Sequence, residues 1–440
     1  MHFAPIPEND FAEYIATYYR ECQSRFPAIE AIAGKWMFRD LIPAMSDFDA
    51  RFIVNDGMEC QDWCEMSRII GETHLRLARR HPAWARNLEH LPGINLTWKE
   101  LVDNKTYYPE YRQWTFYHST QPGKLCQSLA CLEDRQWGME DEYFFLKKFC
   151  LYYGRYNRSI DRAVNMGVHE NKYALHSRIM HYFLPPLQSA MMVINRDIIA
   201  GKFEVLEWAS LYFKSIQGWE LIWDILQANY MNEAHHTEEK LVLLEDVLEN
   251  ILAGVLCELR HHVTVIPESA GLDMKLWKSA LNSVPINPAM KIFDSSKFCR
   301  LMKGRLYFYG NAPKCFDPTW PIQNEFERMN SNYLQVPFLT FAEVCLGRKM
   351  ATCHEVFEEM KKAGLINRRQ HELLLRFDKL TSDVPGDAEA KTRSLQVADI
   401  FDGVFEVLHH ITSLADAKTC NAPEAHNMPN AVKDILIVSK

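Results

Sequence analysis

The stretch AIAGKWMFRDLIPAMSDFDARFIVND, residues 31–56, decides how this chain is read. It places two aspartates, Asp47 and Asp49, at the head of DFDARFIV (47–54), a segment that alternates strictly. Strict alternation marks a strand, because successive side chains point to opposite faces. Asp47, Asp49 and Arg51 then share one face, while Phe48, Ala50, Phe52 and Val54 share the apolar face that seeks a core. Two like charges held this close are costly unless something cationic sits against them. Carboxylates at this spacing can bind one or two Mg²⁺ ions, which take oxygen ligands and usually coordinate substrate phosphates as well.

Upstream, AIEAIAGK (28–35) is a short apolar run that reaches a glycine, Gly34, and reads as a second strand. Between the two runs, WMFRDLIPAMS has a proline and no period, so a loop joins them. DFAEYIATYYRECQSRF (10–26) carries Phe11, Tyr14, Ile15, Tyr18 and Cys22 at helical spacing, with Asp10 in the N-cap position. A further helix is expected over about 58–80, where a basic last turn meets Pro82. GINLTWKEL (93–101) and RQWTFYHS (112–119) are rich in aromatic and β-branched residues and read as strands.

Beyond about residue 140 the patterns are long, apolar or amphipathic and helical, as in SRIMHYFLPPLQSAMMVINRDIIA and FEVLEWASLYFKSIQGWELIWDILQANYMN. The expected class is therefore α+β: a small sheet domain followed by a large helical bundle. Turn-rich segments near 120–140 and 268–290 divide the chain into regions 1–130, 131–275 and 276–440.

Composition narrows the partners. A chain of 440 residues that is 48% hydrophobic and 12% aromatic has the material for a packed interior and is not a disordered polymer. A formal net charge of −8 argues against an extended nucleic-acid surface. No run of about eighteen apolar residues suits a bilayer crossing, and MHFAPIPEND lacks the basic-then-apolar start of a secretory signal, so a cytoplasmic location is expected. The twelve cysteines are scattered and none forms C-x-x-C, which suits reduced, packed thiols.

The residues Gly34, Asp47 and Asp49, in AGKWMFRDLIPAMSDFDARF, resemble the signature of the nucleotidyltransferase superfamily that includes DNA polymerase β and the aminoglycoside nucleotidyltransferases. In that family a glycine ends a strand, about a dozen residues follow, and two acidic residues flank an apolar one. The resemblance covers roughly residues 28–120 and implies a small mixed sheet carrying the catalytic site, with a helical domain beside it. It further implies Mg²⁺, as two ions, held by Asp47 and Asp49, a nucleoside triphosphate as substrate, and a small-molecule acceptor. Lys35 stands where the family usually has serine. A third carboxylate is expected on a later strand, with Glu100 the candidate in INLTWKEL, on the strand face of Ile94, Leu96 and Trp98, and Glu110 the runner-up.

Phosphate contacts are expected from Gly34, Lys35, Arg39 and Arg51, together with Lys147 or Lys148 in EYFFLKKFCLYYGRY. Arg155, Arg158 and Arg162 form a basic segment that could hold phosphate. The histidine pairs His235/His236, His261/His262 and His409/His410 point about 100° apart on a helix and suit joint metal binding poorly. Walker A, G-x-G-x-x-G, G-x-S-x-G and H-E-x-x-H patterns are absent. Two other readings fit the same residues: a nucleotide-binding or scaffold protein without chemistry, and an all-α Mg²⁺/diphosphate enzyme of terpene-cyclase type, which would need SDFDARFIV to be helical.

Overall fold

The computed structural model describes residues 9–42, 46–84, 87–156, 175–176, 178–231, 237–284 and 287–420. Helix α1 (Asn9–Arg25) leads into strand β1 (Ile29–Gly34), and β2 (Ala50–Val54) returns beside it antiparallel, with Gly34 opposite Ala50. Helix α2 (Cys60–Arg80) carries the chain back so that β3 (Asn95–Thr97) lies parallel to β2. A short helix α3 (Trp98–Val102) follows, and β4 (Thr115–Ser119) closes the sheet antiparallel to β1. The sheet is mixed and four-stranded, in the order β3-β2-β1-β4.

Both faces of the sheet are covered. On one, Ile32, Phe48, Phe52 and Val54 meet Tyr14, Tyr18 and Cys22 of α1 and Trp63, Met66 and Ile70 of α2. On the other, Ala31, Ala33, Ile53 and Leu96 meet Trp98, Leu101, Tyr111 and Trp114. The side of β2 that carries Arg51 is thus interior, and all five residues of the strand are buried.

Two strand expectations need correction. Asp47 and Asp49 precede β2, whose ladder begins at Ala50. The run 93–101 is strand only at Asn95–Thr97, and Glu100 lies in α3. The reason is a capping box: the Thr97 hydroxyl accepts from the Glu100 N–H at 3.2 Å, and the Glu100 carboxylate accepts from the Thr97 N–H at 2.9 Å.

The helical remainder is as expected in kind and more divided in detail. Helix α4 (Pro122–Glu133) and α5 (Met139–Tyr156) are followed by a π-helical turn, Arg178–Phe183, and α6 (Leu184–Asn195). The expected segment at 203–232 is two helices, α7 (Lys202–Tyr212) and α8 (Trp219–Tyr230), separated at Gly218, whose φ of 105° a side chain resists. Next come α9 (Glu238–His262), α10 (Met274–Asn282), α11 (Pro288–Cys299) and α12 (Met302–Gly310).

The last region holds α13 (Thr319–Arg328), α14 (Val336–Phe341), α15 (Cys353–Lys362), α16 (Arg368–Thr381) and the long α17 (Ala390–Cys420). One apolar interior runs from Phe11 to Ala415 and takes side chains from all three expected regions. Helices α2 and α12 cross so closely that a Cβ on Gly304 would lie 2.1 Å from the Ser67 carbonyl oxygen. No helix among the described residues is long and apolar enough to cross a membrane.

Candidate functional site

The site is built where β1 ends and β2 begins. Gly34 is required by crowding: a Cβ there would stand 2.7 Å from the Phe48 ring and 2.9 Å from that of Tyr117. These rings close over the strand end, so the chain leaves β1 at Lys35 with Asp49 next to Ala50 on the neighbouring strand. Lys35 Nζ lies 4.8 Å from the centre of the Trp36 ring. From a helix more than 160 residues later, Lys202 Nζ lies 4.5 Å from the same ring.

Asp40 fixes that second lysine. It is fully buried in the turn Phe38–Asp40, and its carboxylate accepts from the Phe203 N–H at 3.0 Å and the Met37 N–H at 3.2 Å. The first contact satisfies one of the unbonded N–H groups that open α7, so a carboxylate from the β1–β2 loop caps a distant helix. Lys202 is thereby drawn into the field of Asp47, Asp40 and Asp49. Burial lowers the pKa of its ammonium, and those three carboxylates act in the opposite direction. Arg39, on the same turn, is exposed and flanks Asp40.

On the interior side, Arg51 donates to the Glu110 carboxylate at 3.0 Å, and both side chains are nearly sealed from solvent. The Trp114 indole N–H donates to the same oxygen at 3.4 Å. Burial alone would raise the Glu110 pKa. The charges of Lys35, Arg51 and Lys148 outweigh it and hold the carboxyl at about 2. Lys148, on α5, completes the group, with Lys35, Glu110 and Asp49 as its charged neighbours.

A third element reaches Asp47. The segment 87–93 is tied down by His74, whose Nε2 lies 2.7 Å from the Leu88 carbonyl oxygen, and by Arg305, which donates to the Leu91 carbonyl at 2.8 Å. It presents Glu89 and His90. His90 Nδ1 is 2.8 Å from the Tyr309 hydroxyl, and its Nε2 is 3.8 Å from Asp47 and 3.9 Å from Glu89. Asp47, Glu89 and His90 each offer one ligand atom within 4.8 Å of the others, a mixed oxygen and nitrogen donor set that a divalent cation can use.

The sequence-predicted residues therefore part company. Gly34, Lys35, Asp47, Asp49, Arg51 and Lys148 gather at one end of the sheet, with Arg39 at the rim. Glu100 does not join them: Arg300 grips its carboxylate through both terminal nitrogens, at 2.6 and 2.7 Å. Lys147 is exposed and faces Asp294 and Lys291 of α11. Arg158, Arg162, His235 and His236, and the side chain of Arg155, lie outside the described residues.

Lys202, Glu89 and His90 were not legible as site residues, since each arrives through contacts distant in sequence. The runner-up Glu110 is the carboxylate that the fold brings to Arg51. The cations that two adjacent aspartates call for are thus, at least in part, the chain's own lysines. Comparison with protein-family models, with curated proteins and with solved structures finds no match to this chain.

Proposed function

We propose that this chain is a Mg²⁺-dependent nucleotidyltransferase that moves a nucleoside monophosphate from an NTP to a small-molecule acceptor. The observation that carries the reading is the convergence, at one sheet end, of the Gly34 exit, the Asp47/Asp49 pair and amines from three distant segments, Lys35, Lys148 and Lys202. Half-buried carboxylates beside several amines suit a ligand that carries both a divalent metal and several phosphate charges. Asp47 and Asp49 would hold Mg²⁺, which neutralises the triphosphate and the departing pyrophosphate when bound. Lys35 and Lys202, gathered on the Trp36 ring, take phosphate oxygens, and the Arg51–Glu110 pair fixes the floor of the site. Catalysis of this kind is mainly positioning and electrostatics.

A binding protein without turnover is the second reading. It is favoured by one observation: Glu100 and Glu110 are both committed to arginines, at 2.6 and 3.0 Å. The all-α alternative has no footing, because Ala50–Val54 is a strand inside the sheet.

Calorimetric titration with each of the four NTPs, with and without Mg²⁺, followed by a pyrophosphate-release screen against pooled metabolites, tests the proposal. Asp47→Asn and Asp49→Asn should each abolish pyrophosphate release while the protein still unfolds cooperatively, with a lower melting temperature where the lost carboxylate had offset the burial of Lys202. Full turnover in either variant rejects the assignment. Tight NTP binding with no release under any acceptor selects the binding protein.

A further inference from the structure

The segment 87–93 brings an imidazole and a carboxylate against Asp47 with the spacing of ligands rather than of hydrogen-bond partners. His90 Nε2 stands 3.8 Å from the Asp47 carboxylate and 3.9 Å from that of Glu89. An imidazolium that neutralised either one would close to ~2.7–2.9 Å, the range of a charge-assisted N–H to oxygen bond. His90 instead lies off both by the same amount, and the three ligand atoms fall within 4.8 Å of one another. Donors bound to one ion at ~2.0–2.5 Å are ~3–5 Å apart, so an ion placed among these reaches all three with small side-chain movements.

The ring is also turned for this task. Its Nδ1 is 2.8 Å from the Tyr309 hydroxyl, an oxygen that α12 supplies from outside the cluster. A ligating histidine ordinarily gives its other ring N–H to such an oxygen, which fixes the tautomer and aims the Nε2 lone pair at the ion. The backbone is anchored on both sides: Leu88 and Leu91 through His74 and Arg305, and Asp47 between Ser46, which is bonded to Ile42, and Phe48 in the core. Asp47 and His90 are 23% and 21% exposed, which leaves access for an ion and its water, while Glu89 is nearly sealed. Asp49 and Glu325 also face His90 and favour a cation. Arg305 opposes one but is engaged by Glu325, and Lys202 faces Asp47 from within the field of Asp40 as well.

We propose that Asp47, Glu89 and His90 bind a divalent transition-metal ion, with Mn²⁺ the best fit to two carboxylates and one imidazole. Mg²⁺ prefers oxygen ligands and gives up its water reluctantly, whereas imidazole suits the transition ions. Water completes the shell on the exposed side. Asp47 is the one ligand shared with the Mg²⁺ reading above. Glu89 and His90 have no part in that reading, and the site needs no nucleotide to form.

The test uses the full chain without nucleotide and Mn²⁺ alone, an ion with little affinity for the chain's thiols. EPR titration should count one bound ion that a ~10-fold excess of Mg²⁺ does not displace. Pulsed EPR should show coupling of the ion to an imidazole 14N, and His90→Ala should remove it. Tyr309→Phe, which frees the ring, should weaken Mn²⁺ by the ~10- to 100-fold that a lost outer partner costs, and His90→Ala and Glu89→Gln should each weaken it further. Asp49→Asn should cost less than any of these.

Wild-type Mn²⁺ affinity in His90→Ala or Glu89→Gln overturns the site, as does a 14N coupling that survives in His90→Ala or ready displacement by equimolar Mg²⁺. Affinity lost in Asp49→Asn and kept in His90→Ala overturns it too, and returns the ion to the aspartate pair. Should His90→Ala fail to unfold cooperatively, Glu89→Gln and Tyr309→Phe carry the same test. The two readings fail separately. A Mn²⁺ site with 14N coupling in a protein that binds no NTP keeps this site and rejects the nucleotide reading. Mg²⁺-dependent pyrophosphate release from a protein that binds no Mn²⁺ through His90 rejects this site alone.

Discussion

Charged side chains occupy two contrasting settings in this chain. Between residues 348 and 393 they pair at the surface, on helices or in the loop just ahead of one: Arg348 and Lys362 with Glu359, Arg368 with Glu372, and Arg393 with Glu389, at 2.7 to 2.9 Å. Most of these partners are close in sequence, and Arg368 and Glu372 are 86% and 60% exposed. At the end of the sheet, by contrast, Arg51 and Glu110 are 8% and 11% exposed and 59 residues apart. The first setting needs only a helix, which brings i and i+4 together. The second needs the whole fold, and it removes charges from water at a cost that the rest of the structure must offset. Charges held that way, with strongly displaced pKa values, are where function is to be sought.

Breaking the buried pair should have the largest effect. Glu110→Gln leaves the Arg51 guanidinium interior with no counter-charge, and truncating one member of a buried pair costs ~3–5 kcal/mol. Chemical denaturation should show that loss at pH 7. The sign of the pH dependence follows from the depressed carboxyl. The stability that Glu110 supplies is fully present above its unfolded pKa of ~4.3 and disappears as pH falls through about 2. The gap between wild type and Glu110→Gln should therefore close in acid. A gap that persists below pH 2 would show that packing, rather than charge, supports the pair.

How much of this could be read from the chain follows the same division. Gly34, Asp47, Asp49 and Arg51 were visible because strand alternation has a period of two and a glycine marks a crowded strand end. The α+β class was visible because the helical patterns beyond residue 140 are long. Glu100 was misassigned for a local reason, since Thr97-Trp-Lys-Glu100 is a capping signature that outweighed the strand propensity of GINLTW. Lys202 lay beyond reach for a non-local one: its position depends on Asp40 accepting from the Phe203 N–H, a contact spanning 163 residues that no periodicity announces. His90 depends likewise on Tyr309, 219 residues away, and the segment that carries Glu89 and His90 on Arg305, which donates to the Leu91 carbonyl.

Lys148 sharpens the contrast with a smaller effect of opposite sign. Its folded-state pKa, about 7, lies below the unfolded value of ~10.4, so the folded protein binds fewer protons between those limits. Stability rises with pH across that window, and the burial penalty is fullest below pH 7. Lys148→Met keeps the length of the side chain and removes the amine. It should stabilise the protein by about 1–3 kcal/mol at pH 6 and by less at pH 10. Denaturation midpoints measured at the two pH values check this, and a variant that is destabilised equally at both would show that the amine is well solvated.

The smallest effect belongs to the exposed setting. Arg368 and Glu372 lie one turn apart at the start of α16, 2.7 Å between nitrogen and oxygen, with water around both. Their attraction is screened by solvent and salt, and holding two long side chains in one geometry spends their rotamer freedom. The helix does not depend on them, because Asn367 caps it by accepting from the Gln370 N–H at 2.9 Å. Leu374 and Phe377 anchor its inner face in the core. Glu372→Gln should leave the urea midpoint within the scatter of repeat measurements, at low and at high salt alike. A salt-dependent loss comparable to that of Glu110→Gln would erase the distinction between the two settings, and Asn367→Ala, which removes the cap while keeping every charge, should destabilise α16 more than Glu372→Gln does.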